Sequence, residues 1–425
     1  MTGKLALFGG EKIRNKSFVT CALIDEEERK RVEEVLSSGV LSGFIAKAGD
    51  AFLGGRQVKE LESEIKKYFG TKYAIALNSA TSALHAGLLA VGIGPGDEVI
   101  VPPYTMSASA TAIIMSNAIP VFADIEEETF CIDPKDIRKK ITDKTRAIMV
   151  VHLFGGTARM DEIMRIAREY NLKVIEDTSQ APGAVYKEKL AGTIGDIGVF
   201  SLNQHKTITS GEGGFAITND ENLALRIQLI RNHGEVVADG MGVSDVSNIV
   251  GFNYRMTELE GAVSVGQFKR LDKLNEHRIN LARYLAKKIS KFKGLMLPKE
   301  IFGKHVYFVF PIIFKEDIVG VTRDLFVKAL NAEGIPFGAG YVRPIYLEPM
   351  YQKKIAYGKD GWPFSACKNQ ASINYSKGIC PVTEKMHEKE LIMTGVIRYP
   401  HSEEDMDDVA KAFTKIFDNI SELKK

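Results

Sequence analysis

The feature that most constrains this 425-residue chain is an alternation. Between positions 73 and 202, short apolar runs ending in polar residues are separated by stretches with helical spacing. YAIAL (Tyr73–Leu77) leads into NSATSAL and a helix, and DEVIV (Asp97–Val101) leads into PPYT and another. IPVFADI, RAIMVV and LKVIED repeat the pattern, with MDEIMRIAREY between the last two. Runs that are apolar on both faces belong to a parallel sheet covered by helices on either side, joined by right-handed crossovers. Ligands of such sheets gather beyond the carboxyl ends of the strands. The polar residues ending each run are therefore the first place to look for chemistry.

The flanking segments have other patterns. Residues 1–24 show weak periodicity and read as an arm. Ile24–Gly39 places Val32, Val35 and Leu36 among charges and reads as a surface helix, and the glycine-rich stretch Gly39–Gly55 reads as a loop. From Gln57, Val58, Leu61, Ile65 and Phe69 share one helical face. Met256 to Ser290 reads as a long helix, blemished by Gly261 and Gly266. Beyond Leu295 the expected order is a strand (VYFVFPIIF), a helix (TRDLFVKALNAEGI), an irregular Pro/Gly/Tyr-rich stretch, a strand (GVIRY) and a terminal helix from Ser402. The expected architecture is α/β: an arm (1–24), a large mostly parallel-sheet domain (25–270) and a smaller α+β domain (271–425).

Composition excludes some functions. Lys plus Arg number 56 against 54 Asp plus Glu, a net charge of +2, so nothing points to nucleic acid. Cys21, Cys131, Cys367 and Cys380 are dispersed, which argues against a disulfide framework or a metal site. No apolar run reaches membrane-spanning length, and MTGKLALFGGEK lacks the apolar core of a signal peptide, so a cytoplasmic protein is expected.

Lys206 lies between the apolar run GVFSL and the turn GEGG (Gly211–Gly214), from which a second run, FAIT, departs. A lysine is ordinarily a solvated surface residue. One desolvated at a strand end can instead anchor an aldehyde cofactor covalently. The turn at Asn78 opens a helix, whose N-terminal N–H groups suit a phosphate, although serine and threonine there are also ordinary caps. Asp177 ends a buried run, with Gln180 three residues on; a carboxylate there can hold a protonated pyridine nitrogen or merely form a turn. Ser201 adds a hydroxyl that can reach a phosphate or bond nearby backbone. Each signal alone is weak. Together they are the parts needed for pyridoxal 5′-phosphate.

With NSATSAL, GDEVIVPPYT, VVHLFG, EDTSQAPGA, GDIGVFSL, HKTITSGEGG, RNHG and GFNYRMTELEGA in this order, the chain resembles the DegT/StrS group of fold-type-I pyridoxal-phosphate aminotransferases from about Ile24 to Phe417. The resemblance implies a catalytic lysine at Lys206 that anchors the cofactor and shuttles a proton. It implies a ring-nitrogen partner at Asp177 and a contact to the phenolic oxygen at Gln180. Ala80, Thr81 and Ser201 match the phosphate cup, and Asn253 matches a residue reaching the phosphate of a second subunit, implying a homodimer with shared sites. The chain departs from relatives at Met106, where they place an aromatic ring over the cofactor, a role open to Tyr104 as well. A second departure is Tyr346, where relatives often have histidine. Tyr104, His233, Arg255 and Tyr346, with Arg231 and Arg343, are candidates for substrate contact. The loop Gly39–Gly55 is a candidate lining of the substrate entrance.

The implied reaction moves an amino group from L-glutamate or L-glutamine to a keto sugar, foremost a nucleotide-linked one. A keto-cyclitol of the inosose type is the alternative, in keeping with Gln180 and the LALFGG opening. A dehydratase of related design replaces the lysine by histidine or groups its cysteines around an iron–sulfur cluster; this chain does neither. A non-catalytic regulator on the same fold has no use for Lys206, Asp177 and Gln180 together.

Overall fold

The computed structural model describes residues 3–20, 23–366 and 373–424, so Cys21 and Cys367 lie outside the described residues. The apolar runs form strands β1 (Tyr73–Leu77), β2 (Glu98–Val101), β3 (Ile119–Phe122), β4 (Thr145–Val151) and β5 (Lys173–Asp177). A short hairpin, β6 (Val185–Tyr186) and β7 (Lys189–Leu190), precedes β8 (Ile197–Ser201) and β9 (Gly214–Thr218). Seven of these make one sheet in the order β1-β9-β8-β5-β4-β2-β3. The five strands from β8 to β3 are mutually parallel, while β9 runs antiparallel to both β1 and β8. That exception goes with the turn containing Lys206, which carries no crossover helix and returns the chain as a hairpin.

Helices cover both faces, as continuous burial of the strands requires. They are α1 (Glu26–Ser38), α2 (Arg56–Phe69), α3 (Ala80–Ala90), α4 (Ala108–Met115), α5 (Pro134–Lys140), α6 (Met160–Glu169), α7 (Glu221–Arg231), α8 (Glu258–Lys269) and α9 (Leu271–Ile289). Asp25 caps α1 with a reciprocal Glu28 contact, and Val35 faces inward while Leu36 is exposed. In α2 the predicted face, Val58, Leu61, Ile65 and Phe69, is buried. The expected long helix is two helices broken at Arg270. Gly266 is a close-approach position: a Cβ there would lie 2.9 Å from the Glu28 carboxylate.

The second sheet, β10 (Leu295–Met296), β11 (Phe310–Phe314), β12 (Gly338–Ala339) and β13 (Leu391–Thr394), is antiparallel in the order β10-β11-β13-β12. It shares a core with α9, the helix Arg323–Ala332 and the terminal helix Glu403–Asp418. The strand expected at GVIRY is instead LIMT, immediately before it. Leu391–Thr394 pairs with both β11 and β12, whereas Val396 leaves the sheet and its carbonyl meets the His401 ring nitrogen.

Segments at both ends cross between the two cores. Leu5 is buried in the second core, and Glu333 accepts the N–H groups of Ala6 and Ile13. Ile345, Tyr346, Tyr351, Phe364, Ile373, Tyr375 and Cys380, expected within the smaller domain, pack in the core of the large sheet. The Gly39–Gly55 loop carries one helical turn, Asp50–Leu53, whose Phe52 is buried with Leu229, Val237 and Ile249.

Candidate active site

The carboxyl ends of β1, β5 and β8 and the entry to β9 meet at one place. Ser79 caps α3: its Oγ accepts the Ser82 N–H at 3.0 Å, while Ser82 Oγ donates to Asn78 Oδ1 at 2.6 Å. Those contacts occupy the side chains of the turn. The backbone N–H groups of Ala80 and Thr81, in the first helical turn, have no intrahelical acceptor and carry the positive end of the helix dipole. Ser201 lies opposite Gly214 across the β8–β9 ladder, and a Cβ on Gly214 would fall 2.4 Å from the Ala80 nitrogen. Glycine is needed there to bring strand and helix start together. Ser201 Oγ accepts the Asn203 N–H at 3.2 Å, which leaves the hydroxyl proton to donate. An anion fits this cradle of N–H groups and one hydroxyl.

Lys206 sits in a loop folded on itself. Leu202 O accepts the Thr209 hydroxyl and the Ser210 N–H, each at 3.0 Å, and Gln204 N–H donates to Gly211 O at 2.7 Å. The loop turns the lysine inward, with Nζ 5.1 Å from the centre of the Phe308 ring. Burial pushes the Lys206 pKa down, and the charge of Asp177 pulls it only part of the way back. An amine so placed is readily neutral, the form needed for nucleophilic and base chemistry.

Asp177 ends β5. Its Oδ2 accepts the Ser109 hydroxyl at 2.8 Å, and Oδ1 accepts the Ser179 N–H at 3.1 Å. Two oxygens with two partners leave room for a further donor, as a protonated pyridine nitrogen would be. Gln180 is held at both ends: Oε1 accepts the Phe154 N–H at 2.9 Å, and Nε2 donates to the Tyr341 hydroxyl at 3.0 Å. Ser109, Tyr341 and Phe308 were not legible as site residues. Ser109 is one serine in a run of small residues, and only the docking of α4 against α3, β2 and β3 brings it to Asp177.

The other predicted residues separate. Tyr104 is fully buried, its hydroxyl accepting the Tyr341 N–H at 2.9 Å and its ring edge-on to Phe154 and Tyr341. Met106, at the entry to α4, is 56% exposed. Tyr104 is thus committed to the core, and Met106 is the side chain left open to a ligand. Tyr346 is a correction. It is buried among Phe122 and Tyr375, and its hydroxyl donates to Glu384, so it is core and does not face substrate. Arg231 is likewise buried, bonded to Glu62 at 2.7 Å and to Ala76 O at 3.0 Å behind β1. Arg255 donates to Asn232 Oδ1 at 2.9 Å, and His233 adopts a left-handed φ of 52° with its N–H on Phe252 O. Asn253 bridges Asn232 through the backbone and is exposed, as is Arg343. Among the described residues, no group of three or more His, Cys, Asp or Glu is placed to hold a metal ion.

Comparison with known proteins agrees with this geometry. The model of the DegT/DnrJ/EryC1/StrS aminotransferase family matches residues 23–410. The chain is 36% identical over 339 residues to GDP-perosamine synthase of Caulobacter vibrioides, covering 78% of this chain and 86% of that protein. It is 29% identical over 441 residues to L-glutamine:scyllo-inosose aminotransferase of Streptomyces griseus, covering 100% of each. The crystal structure of DesI in the presence of its TDP-sugar product matches with a TM-score of 0.81 at 25% identity, over 99% of this chain and 98% of that one. The chain belongs to the DegT/DnrJ/EryC1/StrS aminotransferase family and is a pyridoxal-phosphate-dependent aminotransferase.

Proposed function

We propose that this enzyme transfers an amino group from L-glutamate or L-glutamine to the carbonyl of a keto sugar, foremost a nucleotide-linked one. The observation that carries this is the half-buried Lys206, turned inward with its amine 5.1 Å from the centre of the Phe308 ring and within the field of Asp177. The Ala80–Thr81 helix start and Ser201 meet at Gly214 in the same strand-end cluster. Pyridoxal 5′-phosphate, when bound, supplies an aldehyde that captures amines and a ring that takes up an electron pair. Ala80, Thr81 and Ser201 hold its phosphate. Asp177, fixed by Ser109 and the Ser179 N–H, keeps negative charge beside the ring nitrogen. Gln180, locked between Phe154 and Tyr341, would meet the phenolic oxygen, and the exposed Met106 would be the side chain available to cover the ring. Lys206 takes a proton from the donor Cα in one half of the cycle. In the other half it returns a proton to the former carbonyl carbon of the acceptor. The donor leaves as its 2-oxo acid and the acceptor as an amine.

Two subunits complete the site in this reading, with Asn253 reaching the phosphate bound by its partner. The apolar residues exposed near it, Val236, Val246 and Val250, favour a face covered by a second copy. His233 and Arg255 border that face as candidate substrate contacts. No helix among the described residues is long and apolar enough to cross a membrane, and we place the enzyme in the cytoplasm. A second reading, amination of a keto-cyclitol, is favoured by the end-to-end coverage of the inosose aminotransferase, since the GDP-perosamine synthase match leaves part of both chains uncovered.

The test uses the purified protein loaded with cofactor. Borohydride should fix the cofactor on Lys206, and Lys206→Ala should lose that adduct and about 10⁴-fold in transamination. The amino form of the enzyme, mixed with nucleotide-linked keto sugars and inososes, should regain its yellow absorbance with its true acceptor. A Lys206→Ala protein with full activity would sink the proposal.

A further inference from the structure

One strained joint reaches both sides of the site. Tyr307 is buried in the second core yet holds a left-handed φ of 48°, a conformation that bulky residues rarely adopt. It is met by the turn after β4, where Phe154 and Gly155 are left-handed as well, at φ 59° and 98°. Phe154 is the residue whose N–H holds Gln180. A Cβ on Gly155 would lie 2.6 Å from the Tyr307 nitrogen and 2.7 Å from that of Phe308, so the two backbones are in direct contact. Three hydrogen bonds fix the joint. The Val306 N–H donates to Gly155 O at 2.8 Å, the Tyr307 N–H to His305 Nδ1 at 2.9 Å, and Arg278 of α9 to Phe308 O at 3.1 Å. Backbone strain held in this way gathers at functional positions. What the joint delivers is the next side chain, the half-buried Phe308, with Lys206 Nζ over its ring at 5.1 Å from the centre.

We propose that the Phe308 face is the seat of the Lys206 ammonium whenever the lysine is free of the cofactor and carries a proton in transit. The inference rests on the aminotransferase reading above and adds how the proton is held. Lys206 is an ammonium between taking a proton from one carbon and giving it to another. Burial alone disfavours that form, and among the described residues no carboxylate stands within ion-pair distance of the amine. A carboxylate partner would stabilise the ion, but it would also pin the side chain and keep it charged, leaving no neutral amine for the next proton. The face of an aromatic ring attracts the charge and has no lone pair to compete for the proton. The ring therefore offsets part of the burial cost without locking the amine. Its place depends on Tyr307, because an ordinary conformation there would redirect the chain that carries it.

The experiment reads the lysine directly. Acetic anhydride acylates only neutral amines, so the pH dependence of Lys206 labelling, followed by mass spectrometry of its peptide, reports how strongly the site favours the ammonium. The cofactor-free protein and the pyridoxamine-phosphate form both leave Lys206 free, and both are labelled. Phe308→Leu keeps an apolar side chain and removes the ring face, so labelling below the midpoint pH should rise about 3- to 5-fold. Phe308→Tyr keeps the face and should stay within about 2-fold of the unaltered protein. The donor half-reaction is followed by loss of yellow absorbance with whichever of L-glutamate and L-glutamine the unaltered protein uses. At saturation it should slow about 5-fold in Phe308→Leu, with the half-saturating concentration within about 2-fold, and recover in Phe308→Tyr. Slower labelling in Phe308→Leu, or labelling indistinguishable between the two variants, would make the ring a mere screen against water and overturn the proposal. A higher half-saturating concentration at an unchanged limiting rate would make Phe308 a donor contact and overturn it as well. If the unaltered enzyme changes colour with no amino donor, the aminotransferase reading falls and the proton-holding role with it, even where the labelling behaves as expected.

Discussion

Glu176 and Asp177 are adjacent in β5 and face opposite sides of the sheet, yet their surroundings are unlike. On the Glu176 side every acceptor position is taken. Oε2 accepts His152 Nε2–H and the Gly192 N–H, each at 2.8 Å, while Oε1 accepts the N–H groups of Ile194 at 2.7 Å and Gly195 at 2.6 Å. His152 is fixed in turn, because its Nδ1 accepts the Ala158 N–H at 3.1 Å. Burial alone would raise the Glu176 pKa, but the His152 bond and charge and the backbone donors outweigh it and hold the carboxyl below its usual range. On the Asp177 side, among the described residues, only two donors reach the carboxylate, and a lysine is kept nearby without an ion pair to consume its charge. Saturation makes one carboxylate a fastener, and incompleteness leaves the other available to a ligand.

Substitutions can break this comparison, beginning with the largest effect. Asp177→Asn should lower turnover about 10³-fold, as loss of one preorganised charge does, with little change in melting temperature. Steady-state kinetics beside a thermal melt would check both halves of the statement. Glu176→Gln should do the reverse. Its amide would face backbone N–H donors, costing about 3 kcal/mol of stability while folded protein keeps its rate per site. Because the native Glu176 pKa is depressed, its contribution is present above the unfolded value of 4.5 and is lost as pH falls through the native one. Denaturant melts from pH 7 to pH 3.5 should show the wild-type advantage shrinking over that interval.

Two smaller effects sharpen the contrast. Gly214→Ala would drive a methyl group against the Ala80 nitrogen and should weaken cofactor affinity about 10-fold, read by titrating the apoprotein with pyridoxal 5′-phosphate. Lys206→Met should slightly stabilise the cofactor-free protein at neutral pH. The native Lys206 pKa lies below 10.5, so the unfolded chain binds more protons in between and wild-type stability rises with pH there. The gap in melting temperature should therefore close as pH approaches 10.5. A gap independent of pH would refute the assignment of a desolvated lysine.

Much of this molecule was legible before its structure. The alternating runs specify the parallel sheet because period and run length are local properties, and residues at strand ends must gather along one edge. Lys206, Asp177, Ala80, Thr81 and Ser201 were proposed from that rule and from the family resemblance. The lone antiparallel strand β9 goes with the helix-free hairpin turn at Lys206. Tertiary packing decided the rest. Tyr346 looked like a substrate contact and is core, because the segment around it folds back onto the large sheet. GVIRY looked like a strand, but LIMT before it takes the sheet positions, since pairing depends on which neighbours arrive. Ser109 and Tyr341 carry no local signal at all. Their partners, Asp177 and Gln180, lie 68 and 161 positions away, and only the closed chain brings those hydroxyls to them.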